Sequence, residues 1–135
     1  MLAPKKQKYR KSFRGKNRGV AIRGSVVDFG DFGLKAMAAG LISAAQIEAA
    51  RKAISHYTKR EGKVWIRIFP DKPITGKAAG VGMGAGKGDI KEYVAVVKPG
   101  RILFELAGVG VEIARQAFDR AAAKLSIKTK LVTKL

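Results

Sequence analysis

A glycine-rich stretch at residues 76–90 comes closest, of all parts of the sequence, to a motif with known chemistry. Residues 80–85 match the pattern G-x-G-x-x-A, in which glycine backbone approaches the pyrophosphate of a dinucleotide. That motif requires a strand before it, a helix after it and an acid about 20 residues further on. Here a strand is expected after the motif, at residues 92–97, so the pattern does not predict a dinucleotide site.

The Gly86-Lys87 pair in the same stretch is typical of the end of a phosphate-binding loop. However, Val81 occupies the position of the required first glycine, and Gly88 that of the serine or threonine that binds magnesium. Two interpretations remain, an ordinary surface loop and a loop that inserts between RNA elements. We favour the second, because glycines allow the backbone to approach a phosphate chain and Lys77 and Lys87 add charge.

Residues of the types that take part in catalysis are not accompanied by the partner residues that a catalytic site needs. The sequence has no cysteine, and its one histidine, His56, has no serine or carboxylate arranged around it in sequence. Residues 31–33 spell the metal-binding triplet of protein kinases, but no catalytic-loop H-R-D precedes them. The ten acidic residues show no paired-carboxylate pattern. We therefore predict no catalytic residue, no metal site, no cofactor and no enzymatic activity.

The balance of charge indicates a polyanionic partner. The 135 residues include 28 Lys and Arg against 10 Asp and Glu, a formal charge of +18. Nine of the cations lie in residues 1–24 and five in residues 120–135, and neither segment contains an acid. The middle of the chain is nearly balanced. Since no apolar run approaches the ~20 residues of a membrane span, we expect nucleic acid rather than a membrane.

The basic N-terminal segment lacks apolar periodicity. It could be a solvated tail or a transit peptide, although transit peptides favour Ser and Arg over the Lys found here. An extended arm that binds nucleic acid accounts better for it, because Tyr9 and Phe13 can stack on bases while the cations neutralise phosphates. We predict an arm over residues 1–19 and one domain over residues 20–135. The expected arm contacts are Lys5, Lys6, Lys8, Arg10, Lys11, Arg14, Lys16, Asn17, Arg18 and Arg23.

The clearest local signal is the start of a helix at Ser43. Ser43 and Gln46 form the S-x-x-Q pattern of a capping box, and apolar residues then recur at helical spacing up to Tyr57. Gly62 is the expected C-terminal cap. The opposite face of this helix carries cations. They are either ordinary solvated charge or an RNA-facing surface, and we favour the RNA-facing surface.

The remaining pattern predicts an α+β fold, an antiparallel or mixed β-sheet packed with two α-helices. The second helix is expected from 111 to about 126. A hairpin is expected to join residues 92–97 to residues 101–106 through the turn pair Pro99-Gly100. The other expected strands are two within 20–37, one over 63–69 ended by prolines, and a short one over 127–133.

Several blocks together resemble one family. They stand in its order and spacing along essentially the whole chain, and the block around Trp65 is the most specific of them. They comprise the basic opening with Lys16-Asn17-Arg18-Gly19, residues 29–36 (FGDFGLKA), 46–52 (QIEAARK), 62–75 (GKVWIRIFPDKPIT) and 121–125 (AAAKL). On these residues the chain is similar to the bacterial-type large-subunit ribosomal protein L-sixteen family (universal name uL-sixteen).

The resemblance implies a structural protein of the 50S subunit. It would bind 23S rRNA, help to shape the A-site tRNA-binding region and join late in subunit assembly, with neighbouring large-subunit proteins and P-site tRNA as further partners. The ribosome would be cytoplasmic or organellar, and an accessory nucleic-acid-binding protein outside the ribosome is the alternative. Beyond the arm, the expected rRNA contacts are Lys35, Arg51, Lys52, Lys59, Arg67 and Lys72.

The glycine-rich stretch departs from the family pattern in its charge. Families of this kind read Arg-Met-Gly-Lys-Gly-Lys-Gly, whereas residues 82–88 read GMGAGKG, so two cations are missing. Some members are hydroxylated on that Arg, and Gly82 has no side chain to modify. The residues expected to approach tRNA and the peptidyl-transferase region are Lys77, Gly82, Met83, Gly84, Gly86, Lys87 and Gly88.

Overall fold

Two antiparallel sheets and two helices make up the protein. The computed structural model describes residues 1–12, 15–76 and 87–134. The helices are α1 (Ala44–Tyr57) and α2 (Val111–Ala122). The strands are β1 (Phe32–Ala36), β2 (Gly40–Ser43), β3 (Lys63–Ile66), β4 (Lys72–Gly76), β5 (Asp89–Val97), β6 (Ile102–Ala107) and β7 (Thr129–Thr133). The α+β class and both helices are as the sequence predicted.

One hydrophobic core joins both sheets and both helices. The first sheet has the order β3-β6-β1-β7 and the second the order β2-β5-β4. The largest fully buried side chains include Phe104 from β6, Phe118 from α2, and Ile42, Ile47 and Ile54 from β2 and α1. Such interlocked apolar packing fixes the relative positions of the surfaces that the elements present to solvent.

Helix α1 begins as predicted but ends earlier. Ser43 accepts a hydrogen bond from the backbone N–H of Gln46, and the Gln46 side chain accepts one from Ser43 N–H, which confirms the capping box. The helix ends at Tyr57, with Thr58 donating through both its backbone and its hydroxyl to the Ile54 carbonyl. The predicted end at Gly62 was wrong because the chain turns through left-handed backbone before it reaches that glycine.

The predicted hairpin between residues 92–97 and 101–106 was also wrong. β5 pairs with β2 and β4, whereas β6 pairs with β1 and β3, so the two strands belong to different sheets. The turn between them is held by the end of β1, since Gly100 N–H donates to Ala36 O and Ala36 N–H donates to Arg101 O. This turn therefore joins the sheets rather than closing a ladder.

Two strand assignments failed for reasons of tertiary structure. The predicted pair within 20–37 is one strand, β1, because residues 20–31 contain none and the next strand begins at Gly40. β4 was missed because Pro70 before it and Pro73 within it were interpreted as the end of the preceding strand. Pro73 is compatible with β4, since that strand lies at the edge of its sheet, where a missing N–H breaks no interior ladder.

The other boundaries moved less. The predicted strand over 63–69 ends at Ile66, and α2 ends at Ala122 rather than near 126. The last strand was correct, as β7 occupies Thr129–Thr133. Within the described ranges, neither helix is both long and apolar enough to cross a membrane.

Candidate nucleic-acid interface

The N-terminal arm lies against the body of the protein at specific points. The side-chain amide of Asn17 donates to Val97 O at 2.8 Å and to Gly40 O at 3.4 Å, which are paired residues at the ends of β5 and β2. Farther back, Gln7 donates to the Asp71 carbonyl at 2.5 Å. Leu2 packs against the hydrophobic core. Asn17, predicted as an RNA contact, thus also holds the arm to the second sheet.

Most predicted arm cations face solvent. No carboxylate of the described part of the chain forms an ion pair with any of them. Tyr9 is also exposed, with the Lys8 ammonium 5.6 Å from its ring centre. Phe13 and Arg14 lie outside the described residues. Lys11 is half-buried, and the exposed cations are Lys5, Lys6, Lys8, Arg10, Lys16, Arg18 and Arg23.

The arm also meets the end of the glycine-rich stretch. Lys11 donates to the Lys87 carbonyl at 3.3 Å, and the Lys87 ammonium donates to the Ser12 carbonyl. The two lysines therefore lie side by side next to Gly88, where β5 is about to begin. The other predicted residues of the stretch, Lys77, Gly82, Met83, Gly84 and Gly86, lie outside the described residues.

The solvent-facing side of α1 forms a basic groove. It is lined by Arg51, Lys52, Ser55, His56, Lys59 and Arg60. Arg51 forms an ion pair with Glu48, whose hydrogen bond lowers the pKa of that carboxyl and raises the pKa of Arg51. Lys52 and Lys59 carry no such partner within the described ranges, and both are exposed.

Arg60 was not among the predicted contacts, yet it lines the same groove as Lys52 and Lys59. Lys59 and Arg60 adopt left-handed backbone, with φ of 55° and 64°, and the turn folds Arg60 back beside the helix. The sequence held one signal for it, the pair of consecutive cations Lys59-Arg60 two residues before Gly62.

Arg67 is engaged inside the protein. Its guanidinium forms ion pairs with Glu105 and, at 3.2 Å, with Asp28, and its side chain is only 14% exposed. It also lies over the Phe29 ring, which stacks on Trp65 at a centroid distance of 6.1 Å. Its predicted contact with rRNA would have to compete with these interactions.

Glu105 is the centre of this network and was missed by sequence reasoning. It is fully buried, and its Oε1 accepts hydrogen bonds from the backbone N–H groups of Asp28, Phe29 and Gly30. Burial by itself would raise the pKa of Glu105, but the hydrogen bonds from Gly30, Arg67, Phe29 and Asp28 outweigh it and hold the pKa below its usual value. The available signal was a single acid inside the apolar strand ILFELA.

The last two predicted cations lie on strands. Lys35 is half-buried in β1, opposite Lys130 of β7. Lys72 is half-buried in β4 and shares a groove with Lys16, Asn17 and Leu41.

In the part of the chain that the structure describes, no group of acids and histidine is arranged to hold a metal ion. The arrangement as a whole is a set of exposed cations around a rigid body, which suits phosphate contacts.

Two matches with known proteins bear on what this chain is similar to. A family described as ribosomal protein L16p/L10e matches residues 4–132. The chain is also 61% identical over 132 residues to the large ribosomal subunit protein uL16 of Kosmotoga olearia, covering 98% of this chain and 94% of that protein. Both matches run through the arm, the two helices and the glycine-rich stretch.

Proposed function

The chain belongs to the ribosomal protein L16p/L10e family, and from this premise we propose that it binds 23S rRNA beside the A-site cleft. It is a protein of the large ribosomal subunit, with rRNA and other ribosomal proteins as partners. In this proposal residues 1–19 act as a binding arm and residues 20–135 as one domain. Its role is structural, without catalysis or cofactor, on a cytoplasmic ribosome.

The observation that carries the proposal is the arm, anchored by Asn17 and bearing exposed cations without carboxylate partners. Side chains held in this way approach a phosphate backbone without first breaking internal ion pairs. Each contact releases condensed counterions from the RNA, which contributes a large share of the free energy of binding. The exposed Tyr9 can add stacking on a base.

The same proposal gives the basic groove of α1 a second rRNA contact. Lys52 and Lys59 supply its unpaired charge, while Arg51 is partly neutralised by Glu48. Two separated contact surfaces, the arm and α1, would fix the orientation of the protein on folded RNA. Such two-point attachment is consistent with joining the subunit late, after the RNA helices that it bridges have formed.

The glycine-rich stretch is the part we propose to approach A-site tRNA and, at its farthest reach, P-site tRNA. Lys87 and Gly88 lie at its C-terminal base beside Lys11 of the arm. With Gly82 in place of an arginine, the stretch offers backbone and Met83 rather than a cation there. Its contact with tRNA should therefore be weak compared with the hold of the arm on rRNA.

Sedimentation of a cell extract with and without ribonuclease tests the proposal. The protein should travel with 50S and 70S particles at about one copy each and return to the top of the gradient after digestion. A non-ribosomal accessory protein would instead spread over many particle sizes or remain at the top in both gradients. That distribution would refute the proposal.

A further inference from the structure

A groove between the end of the arm and the second sheet holds side chains that none of the interactions above explains. Its volume is ≈ 690 Å³, within the usual range of ligand sites. Three segments line it: residues 20–23 after the arm, residues 68–71 after β3, and the end of β5 with the turn that follows. The Ala21 N–H donates to Pro99 O at 2.9 Å, which ties the first of these segments to the turn after β5.

Large apolar side chains of this groove are exposed. Phe69 is 47% exposed, Val96 42%, Val20 67% and Ile22 92%. Surface hydrophobic residues scattered singly are ordinary, but four around one concave surface indicate a binding partner. Phe69 is the one aromatic side chain among the residues that line it. An apolar protein segment and an RNA base would both suit these side chains.

The charge of the groove favours the base. Arg23, Lys98 and Arg101 line it, against the single acid Asp71. Arg101 donates to the Arg23 and Arg67 carbonyls, and no carboxylate of the described residues pairs with it. Burial, and then the neighbouring charge of Arg67, lower the pKa of Arg101. An anion in the groove would compensate this partly buried charge, whereas an apolar protein segment would not.

We propose that this groove binds one unpaired nucleotide of the RNA, with the base stacked on Phe69 and the phosphate held by Arg101 together with Arg23 and Lys98. Unpaired nucleotides are recognised by an aromatic face together with nearby cations, the combination found here. Ile22 and Val96, which line the same groove, would exclude water from the edges of the bound base. The inference rests on the proposed function, because it takes RNA as the partner.

The test compares two substitutions of Phe69. In filter binding to purified 23S rRNA, Phe69→Leu, which keeps apolar bulk but removes the aromatic face, should bind roughly 5- to 150-fold more weakly. Phe69→Trp keeps a stacking face and should stay within about twofold of the wild-type chain. Ile113→Ala, an exposed apolar residue of α2 that does not line the groove, is the matched control and should bind like the wild type.

A tethered probe locates the RNA independently of any change in folding. Because the chain has no cysteine, Val20→Cys, at an exposed residue that lines the groove and leaves Phe69 in place, provides a unique thiol for an iron chelate that generates hydroxyl radicals. In the assembled 50S subunit it should cleave 23S rRNA at a single-stranded position, and Ile113→Cys should cleave elsewhere. Cleavage of a neighbouring protein, or no cleavage, would show that the groove holds something other than RNA.

Three binding results would count against the inference. If Phe69→Leu binds with the same affinity as the wild type, the base does not stack on Phe69. If the Leu and Trp variants are weakened equally, the groove requires the shape of phenylalanine and not an aromatic face. Either leaves the proposed function intact, provided that the wild-type chain binds 23S rRNA with a steep salt dependence. Failure of the wild-type chain to bind 23S rRNA would overturn both.

Discussion

Replacing Glu105 by glutamine should destabilise the protein strongly, because that carboxylate holds together three segments. Glu105 is fully buried and accepts hydrogen bonds from three backbone N–H groups and from Arg67. In Glu105→Gln the amide oxygen can keep the backbone donors, but the amide N–H₂ then faces the Arg67 guanidinium, and two donors meet. Among the described residues, Asp28 then remains as the only carboxylate paired with that arginine.

The expected loss follows from breaking a buried ion pair on one side. Removing one partner of a buried ion pair lowers the free energy of unfolding by about 3–5 kcal/mol. We expect a loss near the lower end, because glutamine has nearly the same shape as glutamate and Asp28 still pairs with Arg67. For a chain of this size, a loss of ~3 kcal/mol corresponds to a decrease in Tm of roughly 10 °C. Glu92→Gln, an exposed acid on β5, removes the same charge and should change Tm little.

The pH dependence of stability provides a second readout of the same network. The pKa of Glu105 is lowered in the folded protein, so its contribution is present above the unfolded pKa of about 4.5 and is lost as the pH falls through the folded value. Thermal unfolding between pH 7 and pH 3 should show this loss in the wild type and in Glu92→Gln but less of it in Glu105→Gln. A Glu105→Gln chain that melts like the wild type would refute the reasoning.

Three further changes test other parts of the structure. Ser43→Ala removes the side-chain half of the capping box and should cost ~1 kcal/mol in urea unfolding, and a loss below ~0.3 kcal/mol would contradict that role. Gly62 has left-handed backbone with φ of 74°, and in Gly62→Ala the added Cβ would lie 2.2 Å from Ala107 O. The substitution should therefore lower the free energy of unfolding by more than ~1 kcal/mol, and unchanged stability would contradict this strain. Lys52→Gln with Lys59→Gln should leave Tm unchanged and lower the salt slope of rRNA binding by about 1 per cation, whereas an unchanged slope would remove α1 from the interface.

Local signals predicted the helices well, since caps and apolar periodicity act within a few residues. Ser43 and Gln46 specify their own contact, and the apolar stripe of α1 through Ile47 and Ile54 is buried as expected. The end of α1 was misplaced because both Thr58 and Gly62 can end a helix, and packing of the turn decides between them.

The sheets could not be derived in the same way, because pairing depends on residues far apart in the chain. Residues 92–106 carry every local feature of a hairpin, but the main-chain bonds between Ala36 and the turn at Gly100 divide them between two sheets. Likewise, the backbone of residues 28–30 has β-branched neighbours yet bonds to the Glu105 side chain instead of a strand.

The binding surfaces were predicted mainly from charge, and charge does not distinguish an exposed cation from an internal one. The described arm cations other than the half-buried Lys11 are exposed, as their acid-free context suggests. Arg67, in contrast, cannot be distinguished in the sequence from a solvent-exposed cation. Its ion pairs with Glu105 and Asp28 form only in the folded protein. Arg60 and the groove beside Phe69 likewise depend on how the chain turns after α1 and β3.

The salt dependence of binding to purified 23S rRNA tests the central claim most directly. The measurement compares the wild-type chain with a variant whose exposed arm cations are changed to glutamine, at ionic strengths from ~50 to ~200 mM. If six or more phosphates are contacted, wild-type affinity should fall roughly 10³-fold or more over that range, and each arm cation removed should lower the slope by about 0.7–0.9. A wild-type affinity that is independent of salt, or an arm variant with an unchanged slope, would contradict the account.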